Sequence, residues 1–405
     1  SLPVLIVGAG LVGLALAQAL KKVGVPFRIF ERDVRLHARA SGWGISVSPE
    51  ALQRCLPEDL VKQIYEIKVD PQQKATSIGF FNLESGEEEF KIPSSFRLRV
   101  DRGLLRTLLA TGIDVEWDKT VTGFRVVHKT IFVSFQLSDG KLEEVQGSVL
   151  TGADGTGSKI RKQLLGLGGD HDGRKNLVPR PVHHLMTTVH LTEDQFSRLY
   201  HPVLFQGSHP VLFQGSHPGT GYYMFYSTLS SPNVNSSSGT NNPYYEAQLE
   251  VSWISKDPDD MVPCPDTERV PRIKSMAAEG TGFYENLRDI INKIPDDAHG
   301  SSVVLQDWPT EAWDGFGGRV TLLGDAAHPM TMYRGEAANQ GFRDASLLSE
   351  QLKLWHCGQK DQETAVADYE AEMIPRGKQS VLDSRQACFD AHDLSYLKLH
   401  PDSPL

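Results

Sequence analysis

The sequence has 405 residues, of which 40% are hydrophobic and 23% are charged, and its formal net charge is −10. These values are ordinary for a soluble globular protein of about two domains. The acidic balance argues against a nucleic-acid partner, because no basic patch stands out to bind phosphates. No apolar run approaches the ~20 residues that a membrane span needs. We therefore expect a cytoplasmic protein, membrane-associated only if a natural chain carries a further segment.

The cysteines and histidines lack metal-ligand spacing. No C-x-x-C pair and no H-E-x-x-H motif occurs. The pattern predicts free thiols in a reducing compartment and no metal site. The cysteines are Cys55, Cys264, Cys357 and Cys388.

The first residues predict a βαβ unit. An apolar strand, Val4–Val7, is followed by a glycine-rich turn, a helix from Leu11 to about Val23 and a second strand, Phe27–Phe30. Later periodicity predicts helices at about 49–56, 102–110, 344–356 and 361–373. A helix start is also expected within 334–339, near Ala337. Strands are predicted at 77–81, 87–92, 115–117, 123–127, 131–137, 142–146, 149–153, 181–191, 221–227 and 246–254.

An octamer repeat interrupts the middle of the chain. Residues 201–208, His-Pro-Val-Leu-Phe-Gln-Gly-Ser, recur without change at 209–216. Eight residues are too few for a solenoid unit. We interpret the repeat as a local duplication or cloning artefact that lengthens one loop, with a small effect on chemistry.

A nucleotide-binding fingerprint follows the first strand. Gly8, Gly10 and Gly13 form a G-x-G-x-x-G pattern that leads into the predicted helix. Such glycines let a pyrophosphate approach backbone amides at a helix N-terminus. Glu31 ends the second strand, where a carboxylate can accept hydrogen bonds from an adenosine ribose.

Two further strands end in acidic turns, at Asp154-Gly155 and at Gly324-Asp325. Either turn alone could equally be an ordinary turn with no ligand, because Asp and Gly are favoured in turns. Together with the fingerprint, the three segments predict one long dinucleotide that spans the domain.

These motifs resemble those of the class A flavoprotein monooxygenases, the para-hydroxybenzoate-hydroxylase-like group, and especially its members from fungal secondary metabolism. The resemblance runs from Val4 to about Ala371. It implies an α/β fold: a Rossmann-like FAD-binding domain (1–170, with a small strand insertion at about 75–100), an inserted antiparallel-sheet substrate domain (171–305), and a return to the FAD-binding domain with C-terminal helices (306–405).

The resemblance also implies the cofactor site. Glu31 would hold the FAD ribose, Asp325 the ribityl chain, and the loop 42–45 would face the flavin ring. The implied cofactor-binding residues are Gly8, Gly10, Gly13, Glu31, Gly44, Arg102, Asp154, Gly324, Asp325, Gly335, Ala338 and Asn339. Ala337 departs from the family's glycine, and its Cβ would cost something if that position needs a positive φ.

By the same resemblance, NAD(P)H binds transiently and reduces FAD. O2 then forms a flavin C4a-hydroperoxide, which transfers one oxygen to an aromatic or indole-alkaloid-like small molecule. Hydroxylation of a phenol and epoxidation of an indole-type double bond both use this intermediate, so both stay open.

The catalytic candidates come from the middle sheet. His183 of the His183-His184 pair could act as a general acid or base, and Tyr222 or Tyr223 could hold a phenolate or carbonyl. Strand alternation lets only one residue of each pair face the flavin. An exposed histidine pair and sheet-packing tyrosines are equally compatible with the sequence.

Three other functions compete with this one. A flavin-dependent halogenase would share the fold, but its W-x-W-x-I-P signature is absent. A simple NAD-dependent dehydrogenase would explain Glu31 and leave the turns at 154 and 325 without a role. A carrier protein of the GDI type would keep the fold without a working flavin, and Arg102 and Asp325 argue against it.

Overall fold

The computed structural model describes residues 2–38, 43–71, 78–92, 97–167, 177–199, 212–257, 264–400 and 403. The strands in these ranges are β1 Val4–Val7, β2 Phe27–Phe30, β3 Gly44–Val47, β4 Ile78–Asn82, β5 Glu88–Ile92, β6 Leu98–Asp101, β7 Val115–Glu116, β8 Thr120–Val127, β9 Thr130–Gln136, β10 Leu142–Gly147, β11 Val149–Gly152, β12 Val178–Leu191, β13 Leu212–Ser216, β14 Tyr223–Ser230, β15 Tyr245–Ile254, β16 Gly300–Asp307 and β17 Val320–Leu322. The helices are α1 Leu11–Val23, α2 Pro49–Cys55, α3 Glu58–Gln63, α4 Arg102–Ala110, α5 Lys159–Leu164, α6 Glu193–Leu199, α7 Asp266–Ala278, α8 Glu285–Asn292, α9 Ala337–His356, α10 Gln362–Asp390 and α11 Leu394–Leu399, with short 3-10 turns at Ser237–Gly239 and Gly324–Ala326.

A parallel sheet forms the first layer, with strand order β17-β11-β1-β2-β7. All side chains of β1 and β11 are buried, which is typical of parallel strands that are covered on both faces. The predicted β1-α1-β2 unit is confirmed with the predicted bounds. Because β1, β11 and β17 are neighbours, the turns that follow them lie side by side at one edge of the sheet.

A larger sheet forms the second layer, with strand order β16-β12-β15-β14-β13-β4-β5. Its pairs are antiparallel except β13 with β4. The strands β4 and β5 therefore join this sheet, although the sequence assigns the insertion at 75–100 to the first domain. Residue 77 of the predicted strand lies outside the described ranges. Two smaller sheets are built from β8, β9 and β10 and from β3 and β6.

The octamer repeat contributes to the larger sheet. Residues 212–216 of its second copy form β13, between β14 and β4. The interpretation of the repeat as a lengthened loop is therefore wrong for this part, because the segment pairs with β14 on one side and with β4 on the other. Residues 201–211 lie outside the described ranges.

Alternation along the larger sheet separates an apolar face from a polar one. Leu185, Met224 and Val251 pack with α7 and α8 in one buried cluster. His184 and Ser252 are buried on the opposite face of the same strands. The polar face lies on the side of the parallel-sheet layer and lines the second cavity described below.

Two long helices close the molecule, and both exceed their predicted lengths. α9 begins at Ala337, where a helix start is expected, and so extends seven residues before the range predicted from periodicity; α10 continues through Pro375 to Asp390. Buried residues before and after the proline, Met373 and Val381, keep both halves of α10 in the protein interior. None of the helices in the described part of the chain has the length and apolar character of a membrane crossing.

Candidate active site

A cavity of about 470 Å³ opens at the edge of the parallel sheet where the motif turns meet. Five of the predicted cofactor residues line it: Gly8, Gly10, Glu31, Arg102 and Asp154. These residues come from β1, β2, α4 and the turn after β11. The structure thus brings together residues that are up to 146 positions apart in the sequence.

The glycines of the fingerprint have different tasks. A Cβ on Gly8, whose φ is +109°, would lie 2.3 Å from the carbonyl oxygen of Ala153. A Cβ on Gly13 would lie 1.9 Å from the carbonyl oxygen of Gly8, so both glycines permit close backbone packing. A Cβ on Gly10 would meet no protein atom within 4 Å. Gly10 therefore faces open cavity at the start of α1, where a pyrophosphate fits.

Glu31 joins the end of β2 to the glycine turn. Its Oε2 accepts a 2.8 Å hydrogen bond from the Ala9 amide, and its Oε1 accepts one of 3.1 Å from the Asp33 amide. Arg106 lies across both carboxylates, 3.3 Å from Asp33 and 3.9 Å from Glu31. The sequence analysis missed Arg106, whose signal is its place one helical turn after Arg102.

Asp154 lines the cavity, and its carboxylate also accepts hydrogen bonds at the N-terminus of α5. It accepts hydrogen bonds from Ser158 Oγ at 2.6 Å and from the Lys159 amide at 2.8 Å. Burial raises the pKa of Asp154, while these hydrogen bonds oppose the rise. Much of the carboxylate's bonding capacity is thus taken up inside the protein.

The turns after β11 and β17 are tied together by Arg161, which is fully buried. Its Nη1 donates to the carbonyl oxygens of Asp325 at 3.2 Å and Ala326 at 2.9 Å. Burial lowers the pKa of this guanidinium to about 10, and Asp154 and Asp325 oppose the change.

Gly324, at φ +59°, makes the sharp turn after β17. Burial raises the pKa of Asp325, while His328 and Arg102 oppose the rise.

A second cavity, of about 390 Å³, lies between the larger sheet and the start of α9. Gly44, Gly335 and Ala338, which the family resemblance assigns to the cofactor site, line it. Trp43 lines both cavities, so they adjoin at this side chain. The combined space suits an extended ligand that runs from the Gly10 turn toward Gly335. Gly42, also expected in this loop, lies outside the described residues.

The start of α9 settles the question raised by Ala337. Ala337 is the first residue of the helix, and the positive φ, +60°, is found at Gly335 instead. Its Cβ therefore causes no backbone strain. Asn339 does not line the cavity in the described part of the chain: its Oδ1 accepts from the Ser48 amide at 2.9 Å, and its Nδ2 donates to the Ser46 carbonyl at 3.1 Å.

Three polar side chains of the larger sheet meet in the second cavity. His184 Nε2 lies 3.0 Å from Glu250 Oε2, and Gln248 Nε2 donates to Glu250 Oε1. Since a carboxylate only accepts, these contacts place the N–H groups of both neighbours toward Glu250. Two buried atoms, His184 Nδ1 and Gln248 Oε1, then have no hydrogen-bond partner among the described residues. Both are available as acceptors.

The structure separates the members of each predicted catalytic pair. Tyr223 lines the second cavity and its hydroxyl donates to Gln214 Oε1. Tyr222 faces the opposite side of the sheet, where its hydroxyl donates to Glu279 at 2.6 Å. Burial, reinforced by Glu279, raises the pKa of Tyr222 to about 12.

His183 also faces away from the cavity. Its ring stacks on Trp253, with centroids 4.8 Å apart, on the side of the sheet that carries α7. The prediction that His183 faces the flavin side is therefore wrong. Strand alternation places the neighbouring side chain, His184, in the cavity instead. The sequence alone could not show which of the two faces the cavity, because both residues of the pair are histidine.

Sequence reasoning also missed Gln248 and Glu250. Their signal is the polar alternation Gln248-x-Glu250-x-Ser252 within β15, which resembles a solvent-facing side. Arg99, which is buried at the cavity wall, was missed as well. Burial lowers the pKa of Arg99 to about 10, and its guanidinium lies 5.7 Å from the ring centre of Phe225.

The chain is similar to known flavoproteins over its whole length. Residues 1–202 match the family described as FAD binding domain. Over 359 residues the chain is 42% identical to the FAD-dependent monooxygenase dbaB of Emericella nidulans, with 87% of each chain covered. Over 405 residues it is 30% identical to the FAD-dependent monooxygenase cctM of Talaromyces islandicus, covering 98% of this chain and 95% of that relative.

A solved structure agrees in fold. HpxO of Klebsiella pneumoniae, complexed with FAD and uric acid, has a TM-score of 0.71 at 18% identity, with 99% of this chain and 92% of HpxO covered. The dinucleotide cavity, the glycine turn and these relatives together identify FAD as the cofactor and the protein as an oxidoreductase. The chain belongs to the FAD-dependent monooxygenases.

Proposed function

We propose that the enzyme uses NAD(P)H and O2 to hydroxylate an aromatic small molecule held in the 390 Å³ cavity. The observation that carries this proposal is the junction at Trp43, where the dinucleotide cavity meets a second cavity with its own polar wall. Bound FAD supplies the redox chemistry. The overall reaction consumes the substrate, O2, NAD(P)H and one proton, and it yields the oxygenated substrate, water and NAD(P)+.

The start of α9 favours negative charge near the flavin. Ala337 and Ala338 are the first two helical residues and both line the second cavity. A helix N-terminus stabilises an adjacent anion by roughly 0.3–1 kcal/mol, and by up to about 2 kcal/mol where it is partly buried. Reduced flavin carries negative charge, so this helix start supports its formation.

His184 is the proposed proton acceptor for a substrate hydroxyl. Its Nε2 faces Glu250, so the lone pair at Nδ1 is free to take the proton, and Glu250 stabilises the resulting imidazolium. Gln248 Oε1 can accept a hydrogen bond from a second substrate group. This acceptor pair favours a hydroxyl-bearing aromatic ring, and therefore hydroxylation over epoxidation.

Tyr223 and the apolar wall position the substrate. The Tyr223 hydroxyl, held by Gln214, lies in the same cavity as His184. Apolar side chains enclose the rest, which limits water at the reacting centre. They include Trp43, Ile45, Ile78, Met186, Phe225 and Val303.

The experiment begins with the purified protein, which should be yellow and release FAD on denaturation. Hydroxylated aromatic compounds are screened for accelerated NAD(P)H consumption under ¹⁸O2, and products are analysed by mass spectrometry. We expect one ¹⁸O atom in the product. A product labelled only from water would refute the proposal, as would a chlorinated product formed in chloride buffer. A colourless protein that takes up no added FAD would support a carrier instead.

A further inference from the structure

Two hydrogen-bond acceptors in the wall of the second cavity are separated along one strand. Gln248 and Glu250 belong to β15, and His184 of β12 pairs with Ser252 of the same strand. Residues 248, 250 and 252 share one face of the sheet, because side chains alternate along a strand. Gln248 and His184 therefore approach Glu250 from opposite directions along β15.

Glu250 fixes the orientation of both neighbours. His184 Nε2 lies 3.0 Å from its Oε2, and Gln248 Nε2 donates to its Oε1. In the imidazole form that serves as a base, Nε2 carries the N–H group and Nδ1 carries the lone pair. The amino group of Gln248 is held by the carboxylate, so the carbonyl oxygen of the same amide points away from it.

Neither acceptor is used within the protein. His184 Nδ1 and Gln248 Oε1 are buried, and no hydrogen-bond partner for either atom is found in the ranges that the structure describes. Both residues line the second cavity. A buried acceptor without a partner is costly, so a ligand that donates to both atoms binds more tightly than one that donates to a single atom.

The spacing of the acceptors restricts where the two donors of such a ligand lie. The Glu250 carboxylate, with one hydrogen bond on each side of it, stands between them. Two hydroxyls on adjacent ring carbons lie within hydrogen-bond distance of each other, which is too close to serve both acceptors. Hydroxyls at the two ends of a ring system are further apart and point in different directions.

Apolar side chains border this polar strip on both sides. Met186 and Phe225 are the partners of Glu250 on the neighbouring strands, and both line the cavity. The cavity volume of about 390 Å³ lies within the range of small-molecule sites. A flat ring system can therefore lie along β15, with its ends at the two acceptors and apolar contacts on its flanks.

We propose that the substrate is an aromatic compound with two non-adjacent hydroxyl groups, and that Gln248 is a specificity-determining residue. His184 Nδ1 accepts from the first hydroxyl, and Gln248 Oε1 accepts from the second. This inference rests on the proposed function in that it places the substrate in the second cavity. It does not require oxygen transfer, so the two proposals can fail separately.

The test measures ligand binding to the oxidised holoenzyme without NAD(P)H, by isothermal titration calorimetry. The probes are 2-naphthol, 2,3-dihydroxynaphthalene with adjacent hydroxyls, and the 2,6- and 2,7-isomers with separated hydroxyls. The better of the separated isomers should bind roughly tenfold more tightly than 2-naphthol, and the adjacent isomer should resemble 2-naphthol. No gain from the second hydroxyl, or an equal gain in the adjacent isomer, would overturn the proposal.

A methyl ether tests the direction of the hydrogen bond without changing the protein. The ether oxygen of 6-methoxy-2-naphthol cannot donate, so this compound should bind no more tightly than 2-naphthol. An affinity equal to that of the 2,6-diol would show that the second site does not accept a hydrogen bond, and the proposal would fall. This comparison uses the wild-type chain and is decisive even if the variants below do not fold.

Gln248→Met removes the acceptor at a similar side-chain length. The preference for the separated diol over 2-naphthol should disappear in this variant. Gln248 also donates to Glu250, and the loss of that contact changes the binding of both ligands by the same factor. The ratio of the two affinities therefore isolates recognition of the second hydroxyl, and a wild-type ratio in the variant would refute the role of Gln248.

The matched control is Ser227→Ala. Ser227 pairs with Gln248 across β14 and β15, and its hydroxyl donates to the Thr228 carbonyl at 3.3 Å. This variant should keep the wild-type preference for the separated diol. If it loses the preference as Gln248→Met does, the effect belongs to the packing of the sheet and the proposal is wrong. Absence of ¹⁸O incorporation with every compound would instead refute the monooxygenase reaction and leave these affinities unchanged.

Discussion

Asn339 Oδ1 accepts a 2.9 Å hydrogen bond from the backbone amide of Ser48, and this contact joins residues that are 291 positions apart. Asn339 lies in the first turn of α9, and Ser48 follows β3. Both elements line the second cavity, so one amide side chain sets the distance between the two walls that flank the junction at Trp43.

Asn339→Ala should therefore destabilise the fold and loosen this junction. The substitution leaves the Ser48 amide and the Ser46 carbonyl without a side-chain partner, at a cost of about 1–3 kcal/mol for a buried polar group. Thermal unfolding of the apo-protein measures the change. Asn339→Asp keeps the acceptor and loses the donor, so it should fall in between. An unfolding midpoint equal to that of the wild type would contradict the assignment.

The two glycines at the start of α1 should respond differently to alanine. Gly10→Ala should keep the wild-type unfolding midpoint and lose FAD affinity roughly tenfold or more, because its Cβ meets no protein atom and enters the ligand space. Gly13→Ala should destabilise the fold itself, since its Cβ would lie 1.9 Å from the Gly8 carbonyl oxygen. FAD titration and thermal unfolding distinguish the two. Tight FAD binding by Gly10→Ala would show that the pyrophosphate lies elsewhere.

The histidine pair offers a matched comparison. His184→Gln should slow product formation by roughly a hundredfold while FAD stays bound, because a general base typically contributes ~10²–10⁴-fold. His183→Gln should retain most activity, since its ring stacks on Trp253 on the other side of the sheet. Product formation per bound FAD is the measurement. Equal activity of the two variants would remove His184 from the proposed mechanism.

The tyrosine pair provides an independent comparison. Tyr223→Phe removes the hydroxyl in the cavity and should lower product formation at unchanged FAD content. Tyr222→Phe removes only the hydrogen bond to Glu279, so it should cost roughly 1–3 kcal/mol of stability and leave turnover near the wild-type level. Substrate turnover and thermal unfolding are recorded for both. A larger loss of turnover in Tyr222→Phe would reverse the assignment of faces.

Stability should depend on pH through Glu370. Burial raises the pKa of this carboxyl to about 7, although Thr321 and Trp313 donate hydrogen bonds to it. Because the folded pKa exceeds the ordinary 4.5, the stabilisation is fully present below pH 4.5 and is lost as pH rises through about 7. The loss is on the order of 3 kcal/mol.

Glu370→Gln should flatten this part of the stability profile. Denaturant unfolding at pH 5 and pH 8 measures the difference for both proteins. If the variant loses as much stability between these pH values as the wild type, the pH dependence belongs to another group.

The sequence predicts the parallel layer well because its signals are local. A tight turn between a buried strand and a helix is specified by Gly8, Gly13 and the apolar run of β1, independently of the rest of the chain. The turns at Asp154 and Asp325 end neighbouring strands, so their meeting follows from the topology of a parallel sheet.

The second cavity is less predictable because its signals are not local. His184 and His183 have the same chemistry, and only the neighbours in β15 and β16 determine which one turns inward. Apolar periodicity predicts α9 only from residue 344, because Asn339 in its first turn is held by a hydrogen bond to the Ser46 carbonyl of β3 rather than by apolar packing. Tertiary contacts outweigh intrinsic propensity in both cases.

The position of β13 affects which side chain lines the second cavity. Its octamer period is even, so gaining or losing one unit keeps Gln214 and Phe213 on their respective sides. A shift of β13 itself by one residue would instead turn Phe213 toward the second cavity and Gln214 away from it. The register of β13 therefore determines whether an amide or a phenyl ring lines this part of the second cavity.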